Sequence, residues 1–127
     1  MVSVRRLHGF TLVELLVVLA IIGTLLSIAA PRYSGSTDRA KEAVLKENLA
    51  TLREAIDKHY GDTGSYPGSL DDLVSKRYLR RVPLDPVTDS ATSWISVAPG
   101  EGKKGAIFDV KSGASGKARD GTAFRDF

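Results

Sequence analysis

The sequence predicts an α+β protein in which one long N-terminal helix packs on a small antiparallel β-sheet. Three observations lead to this fold class. Residues 10–30 form an apolar run in which Glu14 is the one charged residue. Apolar residues then recur at helical spacing over residues 45–60. Two segments within residues 94–110 are strand-like and flank a glycine-rich turn, which is typical of antiparallel pairing.

The apolar run from Phe10 to Ala30 contains 21 residues. A helix of about 20 apolar residues crosses a hydrocarbon core of ~30 Å. In lipid the backbone must satisfy its own hydrogen bonds, so the run is predicted to be helical. Arg5 and Arg6 precede it, and a basic flank of this kind indicates a cytoplasmic start and a domain on the other side of the membrane.

Glu14 is the unusual residue of this run. An acidic group inside a spanning helix costs on the order of 2.5–3.5 kcal/mol, so such groups are usually paired and functional. A cut between Gly9 and Phe10 creates a new ammonium group four residues before Glu14. That group can pair with its own Glu14 along the helix, or with Glu14 of a neighbouring subunit, which fixes the stagger between packed helices.

The segment Gly9-Phe10-Thr11-Leu12-Val13-Glu14 resembles the processing site of type IV pilins and type II secretion pseudopilins. The resemblance implies that a prepilin peptidase cuts after Gly9, that Phe10 is N-methylated, and that Glu14 is required for assembly. It divides the chain into a cleaved leader (residues 1–9), a transmembrane and filament-core helix (10–30) and a periplasmic pilin-like α+β domain (31–127).

Two simpler interpretations of the N-terminus compete with this one. A secretory signal has an apolar run of 7–15 residues before a small-residue cleavage site, and Ser27-Ile28-Ala29 resembles such a site. The present run is longer and carries an acid that a cleavable signal does not need. A plain single-span anchor leaves Glu14 without an explanation.

Composition excludes several classes of function. The chain has no cysteine, which excludes disulfides, thiol catalysis and cysteine-type zinc sites. The formal net charge is +3, but from Phe10 onward 16 basic residues face 15 acidic ones, so no nucleic-acid partner is expected. We find no phosphate-binding loop, nucleophile elbow or metal-ligand cluster in the sequence, and therefore expect no enzyme activity.

One helix is predicted from Phe10 to Tyr60, kinked at Pro31 because proline removes a backbone donor and clashes with the preceding turn. The alternative is that Pro31 ends the helix. The apolar stripe that resumes beyond it consists of Leu45, Leu49, Leu52, Ile56 and Tyr60. Gly61 is the predicted helix end, and His59 in the last turn is assigned no chemistry.

A second, short helix is predicted to begin after Ser69 as N-cap and to end near Tyr78-Leu79. Pro83-Leu84-Asp85-Pro86 forces an extended, turning path. This stretch, from Tyr66 to Pro86, resembles the body of the major, G-type pseudopilin of type II secretion. Beyond it, Trp94–Ala98 and Ala106–Val110 are the predicted strands, with Trp94 and Phe108 packed on the helix stripe.

The remaining residues, 112–127, are predicted to form a loop. The resemblance to major pseudopilins implies a calcium ion here, with Ser115 where the family has Asp, and with Asp120 and Asp126 as carboxylates. Calcium takes six to eight oxygen ligands and favours carboxylates, whereas this stretch also contains three basic residues, Lys117, Arg119 and Arg125. The alternative is a tail held by packing of Phe124 and Phe127.

Taken together, these features predict a structural subunit of a type II secretion pseudopilus, anchored in the inner membrane by one span with its domain in the periplasm. Its expected partners are the prepilin peptidase, further copies of itself, other pseudopilins and inner-membrane proteins of the secretion system. The alternative is a type IV pilin or a minor or competence pilin, acting in adhesion, motility or DNA uptake. A ligand-binding domain on a membrane anchor is a further alternative.

Overall fold

The computed structural model describes residues 9–127; residues 1–8 of the predicted leader, and the side chains of residues 30–36, lie outside this description. The elements in chain order are α1 (Leu12–Thr63), α2 (Leu70–Ser75), β1 (Ile95–Val97), β2 (Asp109–Lys111) and a short 3-10 helix (Phe124–Asp126). The predicted α+β class is confirmed. The chain forms two compact units, which divide between Thr37 and Asp38 within α1.

In the first unit, helix α1 begins at Leu12, two residues later than predicted. The hydroxyl of Thr11 accepts a hydrogen bond of 3.1 Å from the backbone N–H of Glu14, so Thr11 is the N-cap. Farther along, the hydroxyls of Thr24 and Ser27 donate to backbone carbonyls four residues earlier, each at 2.8 Å. The polar side chains of this apolar stretch are therefore satisfied within their own helix.

Helix α1 continues without a break from Leu12 to Thr63, so Pro31 does not end it. The kink predicted at Pro31 concerns residues 30–36 and lies outside the described part of the chain. The helix also passes through Gly61, and the prediction of an end there was wrong. Gly64 ends it instead: with φ at 74°, its N–H donates to the carbonyl of Tyr60 at 2.8 Å, a left-handed C-terminal cap.

The core of the second unit is built on the predicted stripe of α1. Four of its members are completely or almost completely buried: Leu45, Leu49, Leu52 and Ile56. They pack with buried residues from the rest of the unit, namely Tyr66, Leu73, Leu79, Trp94, Ile107 and Val110. Burial of each such leucine contributes about 1.5–3 kcal/mol. Tyr60 lies at the edge of this core and stacks on Tyr66, with ring centroids 4.4 Å apart.

His59, on the last turns of α1, is buried rather than simply facing the helix end. Its Nδ1 lies 2.8 Å from the carbonyl oxygen of Ser65, and its Nε2 lies 3.3 Å from the ammonium nitrogen of Lys76. A carbonyl can only accept and an ammonium can only donate, so these contacts fit a ring that donates from Nδ1 and accepts at Nε2. His59 thus connects the end of α1 to the end of α2.

The short helix α2 has the predicted N-cap, since the hydroxyl of Ser69 accepts from the N–H of Asp72 at 3.2 Å. The helix ends at Ser75, earlier than predicted, because Arg77 adopts a left-handed conformation with φ at 66°. The N–H groups of Tyr78 and Leu79 both donate back to the carbonyl of Leu73, which closes the end of the helix.

Strands β1 and β2 pair antiparallel, as predicted, with Ser96 opposite Val110. The second strand begins at Asp109 rather than Ala106, because the N–H groups of Ala106 and Ile107 donate to the carbonyl of Pro67 instead. Trp94 is in the core, as predicted. The prediction for Phe108 was wrong: its side chain is 45% exposed. Its ring lies at the edge of the core, where it meets the ring of Tyr66 edge to face with centroids 5.4 Å apart.

Candidate functional site

The first candidate site is the apolar surface of α1. Residues Leu12–Ala29 are long and apolar enough to cross a membrane, and none of this stretch is buried by the rest of the described chain. Phe10, just before it, is 94% exposed. Apolar surface left in water costs about 25 cal/mol for each Å². This surface therefore requires lipid or other apolar helices around it.

The predicted processing site lies at the start of this surface. Gly9 and Phe10 are exposed and precede the helix, which begins only after the Thr11 cap. The peptide bond between them is thus in an exposed, non-helical part of the chain.

Glu14 occupies the third position of α1 and is exposed on the same apolar surface. Its backbone N–H is bonded to Thr11, and its carboxylate lies in the first helical turn, where the helix dipole favours a negative charge. The spacing Thr11-Leu12-Val13-Glu14 is that of a capping box, a signal that the sequence analysis missed. Glu14 therefore has a local role as a first-turn acid, and its role in assembly stays a prediction.

The second candidate site contains the residues that the sequence analysis proposed for calcium. Asp120 and Asp126 line one cavity of about 470 Å³, whereas Ser115 is exposed and does not line it. Hydrogen bonds from the backbone N–H and the hydroxyl of Thr122 lower the pKa of Asp120, and the charge of Lys46 lowers it further. The structure thus brings together two of the three predicted ligands.

The surroundings of these two carboxylates fit a calcium ion poorly. Lys46 and Arg53 line the same cavity, and two cations repel a dication. Calcium also favours several carboxylates in one cluster, and over residues 9–127 no three His, Asp or Glu side chains come close enough to hold a metal.

Arg53 makes contacts that the sequence analysis did not foresee. Its Nε lies 2.8 Å from Oδ1 of Asp109, while its Nη2 donates to the backbone oxygens of Val110 at 3.1 Å and Phe127 at 2.7 Å. Arg53 lies outside the apolar stripe of α1, and no role was predicted for it. The sequence did contain a signal for these contacts: Arg53 directly follows Leu52 and therefore lies at the border of the buried face of α1.

Asp85 is the second residue whose role was missed. It is completely buried, and its Oδ1 accepts a hydrogen bond of 2.8 Å from the backbone N–H of Val87. Its other oxygen accepts from the hydroxyl of Ser112. The signal in the sequence was Asp85 followed by Pro86, because an Asp before a turn often accepts a hydrogen bond from the backbone N–H two residues later, which forms an Asx-turn.

Comparison with known proteins begins with the N-terminal region. The family described as the prokaryotic N-terminal methylation motif matches residues 4–30. This match covers the apolar helix, Gly9, Phe10 and Glu14. An uncovered apolar helix that carries this motif, followed along the chain by a small α+β domain, defines a protein of the pilin-like class with an N-terminal methylation motif.

Relatives over most of the chain define the family within this class. The type II secretion system core protein G of Pseudomonas aeruginosa is 33% identical, over 89% of this chain and 87% of the relative. The core protein G of Aeromonas hydrophila is 31% identical over 90% and 87%, and that of Escherichia coli K12 is 29% identical over 87% and 83%. The chain belongs to the type II secretion system core protein G family. No solved structure gave a significant match.

Proposed function

We propose that this protein is a structural subunit of a type II secretion pseudopilus, a filament built from many copies of the chain. The observation that carries the proposal is the uncovered apolar helix Leu12–Ala29 with Glu14 in its first turn. It is supported by the relatives, which are named as core proteins of that secretion system. These names do not favour the alternative of a type IV or competence pilin.

Before assembly the subunit is held in the inner membrane by this helix, with the domain on the periplasmic side. In the filament, the helices of neighbouring subunits replace lipid around the apolar surface. Copies of the chain, other pseudopilins and inner-membrane proteins of the secretion system are its partners. The subunit acts by assembly rather than catalysis, since the buried ionisable residues His59 and Asp85 serve to hold the fold.

Processing precedes assembly in this proposal. A prepilin peptidase cuts between Gly9 and Phe10 and leaves Phe10 as the N-methylated first residue. The methylation-motif match over residues 4–30 supports this step, as does the exposed, non-helical chain at Gly9 and Phe10.

Glu14 then determines how subunits pack. Its carboxylate is costly in an apolar filament core unless a cation neutralises it. The Phe10 amine of a neighbouring subunit supplies that cation and fixes the axial stagger. The competing arrangement is an ion pair between Glu14 and the Phe10 amine of the same chain. In both arrangements the Thr11 cap keeps Glu14 in the helix.

Mass spectrometry of the protein from its native host tests the processing step. The expected result is an N-terminal peptide that begins at Phe10 and carries one added methyl group. A mature protein that still begins at Met1 would contradict the proposal.

Substitution of Glu14 tests the assembly step. Glu14→Gln keeps the length of the side chain but lacks the charge, so it should insert into membranes normally and fail to form filaments. Ser27→Ala is the matched control on the same helix, because the hydroxyl of Ser27 is bonded to Gly23 within the helix itself. A Glu14→Gln protein that polymerises as well as the Ser27→Ala protein would contradict the assembly step, because filaments would then form without the charge of Glu14.

A further inference from the structure

The C-terminal segment, residues 112–127, is a folded loop rather than a loose tail. Its backbone closes on itself through Ala118 N–H to the carbonyl of Thr122 at 2.7 Å and Phe124 N–H to the carbonyl of Gly116 at 3.3 Å. The rings of Phe124 and Phe127 meet edge to face and pack against the core. Such a loop needs contacts that hold it to the rest of the domain.

Three charged residues of α1 provide those contacts. Glu42 accepts a hydrogen bond of 2.8 Å from the backbone N–H of Arg119. The ammonium group of Lys46 lies 5.2 Å from the centre of the Phe127 ring, and Arg53 donates to the backbone oxygen of Phe127. Spacings of four and seven residues place these side chains along one face of the helix.

The Arg53 guanidinium binds the kind of ligands that a metal ion would take. It contacts one carboxylate oxygen, from Asp109, and two backbone oxygens, from Val110 and Phe127. Carboxylate and backbone carbonyl oxygens are the ligands that calcium prefers. A guanidinium presents several N–H donors in a rigid, planar fork, so one side chain can connect these separate stretches.

We propose that Arg53, together with Lys46 and Glu42, holds the C-terminal segment in place of a divalent cation, so that the fold of this domain does not depend on calcium. The inference goes beyond the proposed function, since it concerns the stability of the subunit and not its assembly. It replaces the calcium site expected from the resemblance with contacts made by the chain itself.

The first experiment measures thermal unfolding of the full chain in detergent micelles. Trp94 is the one tryptophan of the chain and is buried in the core, so its fluorescence reports this domain. The melting temperature with excess EDTA and with millimolar calcium should agree within about 1 °C, because a ligand that does not bind gives no stabilisation. A rise that increases with calcium concentration, and that Asp120→Asn with Asp126→Asn abolishes, would overturn the proposal.

The second experiment removes the guanidinium. Arg53→Ala should lower the melting temperature by roughly 4–8 °C, a large shift for a domain of this size. Arg53→Lys keeps the positive charge but lacks the planar guanidinium, so it should lower the melting temperature less than Arg53→Ala does. Lys58→Ala is the matched control on the same helix, since its ion pair with Glu54 is 3.7 Å long with side chains 66% and 71% exposed. Equal effects of Arg53→Ala and Lys58→Ala would overturn the proposal.

A third measurement does not depend on any variant. Equilibrium dialysis of the unmodified chain against radioactive calcium should show no saturable binding in the micromolar to millimolar range that such sites cover. Saturable binding of one ion for each chain would overturn the proposal even if every variant failed to fold. Loss of filaments in the Glu14 experiment has no bearing on this result.

Discussion

The carboxylate of Asp85 accepts a hydrogen bond from the hydroxyl of Ser112, and both side chains are completely buried. The two residues are 27 positions apart, so the bond joins the turn after Pro83 to the chain that leaves β2. The other oxygen of Asp85 accepts from the N–H groups of Val87 and Thr88. A buried carboxylate is tolerated because these donors replace the water it loses.

Removal of the Ser112 hydroxyl is expected to destabilise the domain. Ser112→Ala leaves one oxygen of the buried carboxylate without its donor, which should lower the free energy of unfolding by about 1–3 kcal/mol. Urea unfolding followed by Trp94 fluorescence measures this. Ser75→Ala is the control, because its hydroxyl bonds to the Asp72 carbonyl at the surface and its loss should cost less than about 0.5 kcal/mol.

The leucine stripe of α1 should account for a large part of the stability. Leu52 is completely buried among the core residues. Leu52→Ala removes its apolar contacts and leaves a cavity, with an expected loss of about 2–5 kcal/mol in the same urea assay. Val44→Ala alters a half-exposed position on the same helix and should have a much smaller effect. A comparable loss at both positions would show that the stripe is not the centre of the core.

Two glycines in different surroundings should respond in opposite directions to alanine. A Cβ atom at Gly113 would lie 2.0 Å from the backbone oxygen of Ser93, so Gly113→Ala should destabilise the domain by roughly 2 kcal/mol or more. At Gly61, inside α1, a Cβ atom meets nothing within 4 Å. Gly61→Ala should stabilise the helix by about 0.5–1 kcal/mol. Melting temperatures of the two variants decide the matter.

The hydrogen bond from the hydroxyl of Tyr78 to Oδ2 of Asp62, at 2.8 Å, predicts a pH effect. This bond, reinforced by partial burial and by the negative charge of Asp62, raises the pKa of Tyr78 above its ordinary value of 10.0. The contribution of this hydrogen bond to the stability of the folded domain is therefore fully present below the pKa of the unfolded tyrosine. It is lost as the pH rises through the higher pKa of the folded state.

NMR titration with carbon-13 in the tyrosine rings measures this shift residue by residue, and Tyr78→Phe assigns the signal. Asp62→Asn should move the pKa of Tyr78 back toward its ordinary value, because the charged acceptor is gone. If the signal of Tyr78 titrates at the ordinary value in the unmodified protein, the hydrogen bond does not persist in solution.

Local patterns in the sequence predicted the parts of the fold that depend on local physics. The spacing of Leu45, Leu49, Leu52 and Ile56 identified the buried face of α1, and Ser69 identified the start of α2. Helix ends were less accurate. The end of α1 depends on the left-handed conformation of Gly64. Gly61 is also a glycine, so residue type alone could not decide which of the two ends the helix.

Long-range polar contacts could not be predicted in this way. Arg53 finds its partners 56 to 74 residues further along the chain, and Asp85 finds Ser112 after 27. Periodicity identifies which face of a helix is apolar, but it carries no information on which distant oxygen meets a charged side chain at the border of that face. For the same reason, the resemblance suggested calcium ligands and could not reveal the cations beside them.

The exposed stretch Leu12–Ala29 also determines how this protein behaves once it is taken out of its natural surroundings. In aqueous buffer without detergent, exposed apolar helices of this kind aggregate in any register, both parallel and antiparallel. A large particle in a sizing column is therefore no sign of ordered polymerisation. The informative quantity is the difference in particle size between the unmodified protein and Glu14→Gln. Non-specific aggregation does not depend on one carboxylate, whereas ordered assembly does.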